Sequence, residues 1–264
     1  MMAHALAENG AARVYIIGRR EDRLIEAASK YPNIIVPLQG DITQQDTLKQ
    51  IAERVKQEVG YINLLVTNAG ITGPGLEKMK PRATLADFVD HAWSSSMSDF
   101  NSVYDLNCTA VYYCILAFLV LLDEGNKRNT YLKSQVIATA SSASFLRNPR
   151  AGFAYCSSKA ALVSMIKCFS TFCVPWGIRF NALAAGLIPS ELSAPLLNPF
   201  KLHKEKPVTE VGAFSRSYQP AERAGGEQDI AGVILYLASK AGDFVNGSVL
   251  LVDGGKIATM PATY

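Results

Sequence analysis

The stretch Asn63-Leu64-Leu65-Val66-Thr67 decides the fold class of this chain. It is a continuous apolar run without polar alternation, which is the pattern of a parallel strand covered on both faces. Residues 46–58 before it carry apolar side chains at helical spacing, and a second apolar run follows at residues 135–140. Strands that alternate with helices predict a doubly wound α/β fold, a parallel sheet with helices on both faces.

The alternation continues in both directions from this stretch. We predict strands at residues 13–18, 33–38, 63–67, 135–140, 178–183 and 248–252, and helices at 1–9, 21–30, 46–58, 99–122, 155–172 and 227–239. Periodicity fades over residues 71–98, where we expect a surface excursion with one short helix, and residues 123–133 resemble a polar loop. Residues 187–226 are irregular and rich in proline, which is typical of a lid within a single domain that spans 1–264.

Composition is typical of a water-soluble globular protein. Of the 264 residues 49% are apolar, and the net charge of +3 is too small to indicate a nucleic-acid partner. The apolar run from Val111 to Leu122 is too short to span a bilayer, and no signal peptide is visible. We therefore predict no membrane partner. The five cysteines form no Cys-x-x-Cys pair, so we also predict no metal site and a reducing, cytoplasmic location.

A tyrosine and a lysine stand four residues apart in Tyr155-Cys156-Ser157-Ser158-Lys159. In a helix, Tyr155 and Lys159 would lie on one face. A fixed ammonium group makes a phenol easier to deprotonate, so the pair could exchange a proton with a carbonyl or alcohol oxygen. Such a pair on a solvated helix face is common, but Ser141-Ser142 ends the strand 135–140, where an α/β sheet binds its ligands.

Together these residues make the chain similar to the short-chain dehydrogenase/reductase family. Ser142, Tyr155 and Lys159 match the spacing of that family's catalytic Ser and Tyr-x-x-x-Lys, and Asn107 resembles its fourth catalytic residue. Two further motifs, in family order, are Asn68-Ala69-Gly70 and Leu251-Val252-Asp253-Gly254-Gly255. The resemblance implies a Rossmann-type fold and an NAD(P)-dependent oxidoreductase.

The resemblance also implies a role for each catalytic residue. Tyr155 would be the general acid/base, and Lys159 would lower its pKa; both would contact the cofactor, Lys159 through the nicotinamide ribose. Ser142 would hydrogen-bond the substrate oxygen, and the family spacing selects it over the neighbouring Ser141. Asn107 would hold a water that links Lys159 to solvent, whereas the alternative is a polar side chain that satisfies helix backbone groups.

Two arginines follow the strand that ends at Gly18. In the family this position meets the adenosine ribose, where an Asp accepts from the 2′-hydroxyl of NAD and an Arg pairs with the 2′-phosphate of NADP. Arg19 and Arg20 therefore favour NADP(H) over NAD(H); the alternative is a solvated pair at the start of a helix. Asp41 resembles the family's acidic residue at the adenine, or else caps the next helix.

Four further residues resemble cofactor contacts of the family. Asn68 and Gly70 match residues that support the central sheet near the adenine ribose. Ile188 and Ser190 fall where the family contacts the nicotinamide amide. The usual Pro-Gly before them is Ala185-Gly186 here, which keeps the backbone freedom of glycine.

One segment that the resemblance implies has no counterpart in the sequence. The family's first strand leads through Thr-Gly-x-x-x-Gly-x-Gly into a helix whose N-terminus binds the cofactor pyrophosphate. The helix that ends at Asn9 should follow that turn, and Gly73-Pro74-Gly75 does not replace it. We expect a shortened chain, through an error in the gene prediction, a choice of boundaries or a real loss. Strands 13–18 and 63–67 should then flank a gap or be forced together.

The sequence thus predicts hydride transfer between NADP(H) and a small-molecule carbonyl or alcohol. Helices 99–122 and 155–172 are apolar on more than one face, and family members commonly pair through them, so we expect a homodimer or homotetramer. The alternative is a catalytically impaired fold that binds a partner or ligand. The missing turn favours that alternative, and the intact catalytic residues oppose it.

Overall fold

Strands and helices alternate along the chain, as the sequence predicts. The computed structural model describes residues 1–76, 79, 82–128 and 131–264. Its strands are β1 Val14–Gly18, β2 Ile35–Gln39, β3 Leu64–Thr67, β4 Gln135–Ser141, β5 Arg179–Ala185 and β6 Val249–Val252. Its helices are α1 Met2–Glu8, α2 Glu21–Ala28, α3 Gln45–Glu58, α4 Leu85–Trp93, α5 Met97–Tyr104, α6 Ala110–Arg128, α7 Phe153–Phe172, α8 Ala194–Leu197 and α9 Glu227–Ala238. Every strand begins and ends within two residues of its predicted range.

The strands form two parallel sheets instead of one. β1 pairs with β2, and the other four strands pair in the order β3-β4-β5-β6. Among the described residues no ladder joins β1 to β3, so each of these two strands is paired along one edge only. The fold is the predicted doubly wound α/β class, and its sheet is divided at the place where the sequence predicts a gap.

Helices cover both faces of the larger sheet. On one face, side chains of α3, α6 and α7 enclose Val136 and Phe180. On the other face, α1 and α9 enclose Ile137 and Leu183. All four strand side chains are at most 1% exposed. Complete burial of such a side chain stabilises a fold by about 1.5–3 kcal/mol, so β4 and β5 form the firm centre of the molecule.

The longest helical stretch runs from Met97 to Arg128. It comprises α5, one π-helical turn at Asp105–Thr109, and α6. By length and composition alone, this is the one helix in the described part of the chain that could cross a membrane. Half of its most apolar window is buried inside the fold, and core helices of soluble proteins pass the same test, so it is weak evidence for a membrane span.

The prediction of a polar loop over residues 123–133 is wrong for its first half, where α6 continues. Lys127 forms an ion pair of 2.8 Å with Asp123, one turn earlier, which stabilises this polar end of the helix. Asn126 is buried and donates to backbone carbonyl groups that follow α7. Residues 129 and 130 of the predicted loop lie outside the described residues.

One short helix, α4, lies in the predicted surface excursion, as expected. It begins with a capping box between Thr84 and Asp87, and α5 begins with the same motif between Ser96 and Asp99. No side chain of α4 is buried. Residues 77, 78, 80 and 81 of the excursion lie outside the described part of the chain.

Residues 187–226 follow β5 with little regular structure. They contain α8 and a short 3₁₀ turn at Asn198–Phe200. A small apolar cluster within the segment buries Leu197, Ala213, Phe214 and Ala224. The segment therefore has a small core of its own.

Candidate active site

Tyr155 lies in the first turn of α7 and points into the fold, with 9% of its surface exposed. Burial raises the pKa of its phenol above the usual range, and the nearby Ser141 hydroxyl offsets part of that rise. The phenol is therefore protonated at neutral pH. A buried, protonated phenol can donate a proton to a ligand oxygen beside it.

Lys159, one turn further along α7, is only 4% exposed. Its Nζ donates to the backbone carbonyl of Thr139 at 2.8 Å. Burial lowers the Lys159 pKa to about 8, with a small opposing effect of Cys108. The sequence predicts that Lys159 lowers the Tyr155 pKa, but in the structure burial dominates and that pKa is raised.

Asn107 occupies the π-helical turn between α5 and α6 and is fully buried. Its Nδ2 donates to Ser158 Oγ and to the Ile71 carbonyl, and its Oδ1 accepts from the Ile71 amide, all at 3.0 Å. A side chain at Gly70 would place Cβ 3.0 Å from Asn107 Oδ1 and 3.3 Å from Lys159 Nζ. Asn107 thus fixes the loop after β3 against α7. It satisfies backbone groups, as the alternative reading expects, but those of the loop instead of its own helix.

The two serines at the carboxyl end of β4 have different surroundings. Ser141 Oγ accepts from the Ala143 amide at 3.1 Å. A hydrogen bond between the Ser141 hydroxyl and the Tyr155 phenol opposes the rise of the Tyr155 pKa. Ser142 opens a 3₁₀ turn and is also buried, with 7% of its surface exposed. Within the described part of the chain the Ser142 hydroxyl has no hydrogen-bond partner, yet it is not sealed from solvent. It is therefore the serine hydroxyl that is free to bind a ligand oxygen.

The predicted adenosine-binding residues lie at the ends of β1 and β2. Arg20 forms an ion pair of 3.2 Å with Glu191, whereas Arg19 forms none with the described residues. Asp41 Oδ1 accepts from the amide and the hydroxyl of Thr43, at 2.9 and 2.8 Å. These two bonds lower the Asp41 pKa, and the charge of Arg19 adds to the effect. Asp41 therefore forms a local turn and does not cap α3 directly.

The remaining predicted cofactor residues lie at the carboxyl ends of β3 and β5. Asn68 is exposed, and its Oδ1 accepts from Thr139 Oγ1 at 3.1 Å. Ser193 fixes the loop after β5: its Oγ donates to the Ile188 carbonyl at 2.6 Å and accepts from the Ser190 amide at 3.0 Å. The nicotinamide-side loop is thus held by its own hydrogen bonds.

A glycine is needed at position 186 for a reason other than the backbone freedom that the sequence suggests. Its backbone is not in the left-handed region, but a Cβ there would lie 2.6 Å from the Cα of Asp253. Its amide donates to the Val252 carbonyl at 2.9 Å. Gly186 therefore allows the ends of β5 and β6 to approach each other closely.

Three residues that the sequence analysis misses take part in this arrangement. The Thr139 carbonyl accepts a hydrogen bond from Lys159, and the Ser158 hydroxyl accepts one from Asn107. Glu191 forms an ion pair with Arg20. Only Ser158 carried a signal, because it is a polar residue directly before Lys159 in the catalytic helix. A backbone carbonyl and a surface carboxylate have no sequence motif that would identify them.

The residues present fit the two ends of a nicotinamide dinucleotide better than its middle. Lys159 donates to the Thr139 carbonyl of β4, Tyr155 is hydrogen-bonded to Ser141 at the carboxyl end of that strand, and Ser142 directly follows it. This is the edge where parallel α/β sheets bind ligands. Arg19 and Asp41 stand at the same edge, on β1 and β2. In the described residues no glycine-rich turn leads from a strand into a helix N-terminus.

Comparison with known proteins agrees with this geometry. A family model described as Enoyl-(Acyl carrier protein) reductase matches residues 1–256. The short-chain dehydrogenase/reductase PhomF of Diaporthe leptostromiformis is 44% identical over 269 residues, which cover 100% of this chain and 89% of PhomF. The short-chain dehydrogenase/reductase SAT3 of Stachybotrys chartarum is 36% identical over 278 residues, covering 100% of both chains.

A solved structure shares the fold. It is a gluconate 5-dehydrogenase from Burkholderia cenocepacia J2315 in complex with NADP and tartrate, with a TM-score of 0.74 and 26% identity. The match covers 97% of this chain and 89% of that one. The similarities thus extend over nearly the whole chain, and the resemblance seen in the sequence is confirmed. The chain belongs to the short-chain dehydrogenase/reductase family, a family of oxidoreductases whose fold binds a nicotinamide cofactor.

Proposed function

We propose that this chain is an NADP(H)-dependent oxidoreductase that reduces a carbonyl or oxidises an alcohol by hydride transfer. The observation that carries the proposal is a set of three groups near the carboxyl end of β4, two of them on α7 and one directly after the strand. These are the buried phenol of Tyr155, the buried amine of Lys159 and the free hydroxyl of Ser142. Together they can bind a carbonyl oxygen, protonate it and restore the proton.

In the direction of reduction, the carbonyl carbon would gain the hydride that a bound nicotinamide cofactor can supply. As the carbon–oxygen double bond becomes a single bond, Tyr155 donates its phenolic proton to the oxygen and is left as a phenolate. Ser142 donates a hydrogen bond to the same oxygen while negative charge develops on it. Lys159 then returns a proton, since its pKa of about 8 allows it to do so near neutral pH.

The cofactor preference is proposed from the free arginine. Arg19 is exposed and forms no ion pair with the described residues, so its guanidinium could pair with a 2′-phosphate. Arg20 is already paired with Glu191. We therefore assign NADP(H) binding to Arg19 in the first place, with Asp41 near the adenine and Asn68, Gly70, Ile188 and Ser190 along the rest of the cofactor.

We also propose that one more strand belongs between β1 and β3. β1 is half-exposed along its whole length, and both strands present an unpaired edge within the described structure. A strand there, followed by a glycine-rich turn into α1, would join the two sheets and supply backbone donors to the pyrophosphate. Without it, the ends of the cofactor have partners and its middle has none.

The divided sheet favours a second candidate, a catalytically impaired protein of the same fold that binds a ligand or partner. The two candidates differ in one property. The enzyme gains turnover once the strand and turn are supplied, whereas the impaired protein does not.

Tyr155→Phe tests the proposed chemistry, in a chain extended by a strand and glycine-rich turn. The ring keeps its packing and loses only the proton, so turnover should fall by about 10²–10⁴-fold. NADPH affinity, measured by fluorescence titration, should stay within about twofold. Tyr15→Phe is the matched control, because Tyr15 lies on β1 in the smaller sheet and its hydroxyl donates to Glu58 at 2.7 Å. Turnover within a few-fold of the parent would exclude Tyr155 as the acid/base.

Residues 187–226 are proposed as a substrate lid within one domain, 1–264. The ion pair between Arg20 and Glu191 links this segment to the end of β1. The proposed location is the cytoplasm, and the proposed substrate is a small-molecule carbonyl or alcohol.

A homodimer or homotetramer is proposed from an apolar surface on α6 and α7. Leu116 is 41% exposed, and Val120 and Phe172 are each 70% exposed. Apolar side chains that face water on long helices are typical of a surface that a second copy covers. Light scattering at micromolar concentration should give the mass of at least two chains. A strictly monomeric mass would contradict this assignment.

A further inference from the structure

A cleft of about 340 Å³ opens beside the start of α7. We name it the α4–α5 cleft, because the end of α4 and the first turn of α5 form one wall. The loop 74–76 forms the second wall, and Phe153 with Ala154 forms the third. Its volume lies in the range of small-molecule pockets, which is about 300–1,000 Å³.

Three contacts hold the walls of the cleft together. Gly152 has a φ of 96°, and a Cβ there would lie 1.9 Å from the Pro74 carbonyl oxygen, so the loop rests directly on the start of α7. The Leu76 amide donates to the Arg150 carbonyl at 3.1 Å. A ring nitrogen of His91 lies 2.9 Å from the Gly75 carbonyl, which ties α4 to the same loop.

The cleft adjoins the catalytic residues through two of its walls. The loop 74–76 continues from Ile71, whose backbone is bound by Asn107. Ala154 in the third wall directly precedes Tyr155 in α7. The cleft and Tyr155 therefore share the loop after β3 and the first turn of α7.

The lining indicates the kind of group that would bind. Of the described residues around the cleft, none is Asp, Glu, Lys or Arg. Met97 is 84% exposed, Phe153 53% and Phe100 39%, so apolar side chains face open water. Covering apolar surface removes it from water, which favours an apolar occupant with few charges.

We propose that the α4–α5 cleft binds an apolar, ring-containing part of the carbonyl substrate. This deepens the proposed function and rests on it for the word substrate, while the binding itself needs no turnover. The concave shape and the continuity with Tyr155 favour a small molecule over a second copy of the chain. A second copy is tested as an outcome below.

The experiment measures binding of prodan, an aromatic ketone whose emission shifts to shorter wavelength in apolar surroundings. Ala92 lines the cleft and is exposed on α4, so Ala92→Phe should fill the cleft without disturbing the core. Ala86→Phe is the matched control, since Ala86 is exposed on the same helix and does not line the cleft. Circular dichroism should be the same for the three proteins.

We expect prodan to bind the unchanged chain and Ala86→Phe with equal affinity, and Ala92→Phe at least about tenfold more weakly. In an active chain, Ala92→Phe should also raise KM for aromatic ketones while KM and kcat for a small aliphatic ketone stay unchanged.

Three results would overturn the inference: no prodan binding, equal binding to Ala92→Phe, or a lower mass by light scattering for Ala92→Phe alone. The last would show that the cleft is an interface between copies. If prodan affinity falls as expected but no carbonyl is ever reduced, the cleft stands as an apolar ligand site and it is the proposed function that fails.

Discussion

The centre of the larger sheet and the facing edges of β1 and β3 are built to different degrees. β4 and β5 are paired along both edges, and all but one residue of each is buried. β1 is paired along one edge, and none of its residues is buried. Both regions carry residues that the family resemblance assigns to the site. The catalytic side of the site is therefore complete in packing, whereas the cofactor side rests on strands with open edges.

The difference teaches which functions depend on which region. Lys159 donates to the Thr139 carbonyl of β4. Asn107 binds Ile71 in the loop after β3 and Ser158 in α7. Ser141 accepts from the Ala143 amide. None of these contacts involves β1 or β2. The acid/base chemistry can thus be tested separately from cofactor binding, by substitutions on one side at a time.

A large effect on kcat should come from the serine pair on the catalytic side. Ser142→Ala removes the free hydroxyl, and loss of one such donor to a developing oxyanion lowers kcat by about 10²–10³-fold. Ser141→Ala should lower kcat less, but raise the Tyr155 pKa further and move the pH profile, because Ser141 favours the ionised phenol. The measurement is kcat between pH 6 and 10 for both variants. A larger loss of kcat in Ser141→Ala would exchange the two roles.

Lys159→Met should stabilise the fold while it abolishes activity. Burial lowers the Lys159 pKa from 10.5 to about 8 in the fold, so between these values the unfolded chain binds more protons and stability rises with pH. Below pH 8 the full cost of the buried ammonium is present, at most about 3 kcal/mol. The variant lacks this cost, so its advantage should be largest near pH 7 and disappear above pH 10.5.

Urea unfolding of both proteins at pH 7, 9 and 10 measures this prediction. Using the difference between the two proteins removes the contribution of all other titrating groups. An advantage of Lys159→Met that does not change with pH would show that Lys159 keeps its ordinary pKa in the fold.

A smaller effect is expected on the cofactor side. Arg19→Asp should shift preference from NADP(H) toward NAD(H) by a factor of about ten to a hundred, since a charge-assisted hydrogen bond contributes about 1.5–3 kcal/mol. Arg20→Asp is the matched control and should shift it less, because Arg20 is paired with Glu191. The ratio of kcat/KM for the two cofactors reports the change. Equal ratios in the parent and Arg19→Asp would show that Arg19 is solvated and does not bind the 2′-phosphate.

The fold could be predicted from the sequence because each strand is a short apolar run between helices, and the runs of β4 and β5 are almost wholly buried. The end of α6 could not, since the polar residues after 122 resemble a loop, and the ion pair of Lys127 with Asp123 is visible only in the structure. The structure shows the division between β1 and β3 that the sequence analysis expects, whereas the missing strand itself stays a prediction.

The candidate site was predictable in its residue types and less so in its contacts. Spacing placed Tyr155 and Lys159 on one face of α7, as the structure shows. It could not show that Lys159 donates to the Thr139 carbonyl, because any residue at position 139 offers that carbonyl. Nor could it show that burial raises the Tyr155 pKa and that the opposing effect comes from Ser141.

The most direct test of the account is an NADPH fluorescence titration of two proteins. One is the 264-residue chain; the other is the same chain preceded by a strand and a Thr-Gly-x-x-x-Gly-x-Gly turn. Several backbone donors to the pyrophosphate should tighten binding in the extended chain by at least about a hundredfold, and turnover of a carbonyl should appear with it. Micromolar affinity and turnover in the 264-residue chain itself would contradict the account, since another segment would then bind the middle of the cofactor.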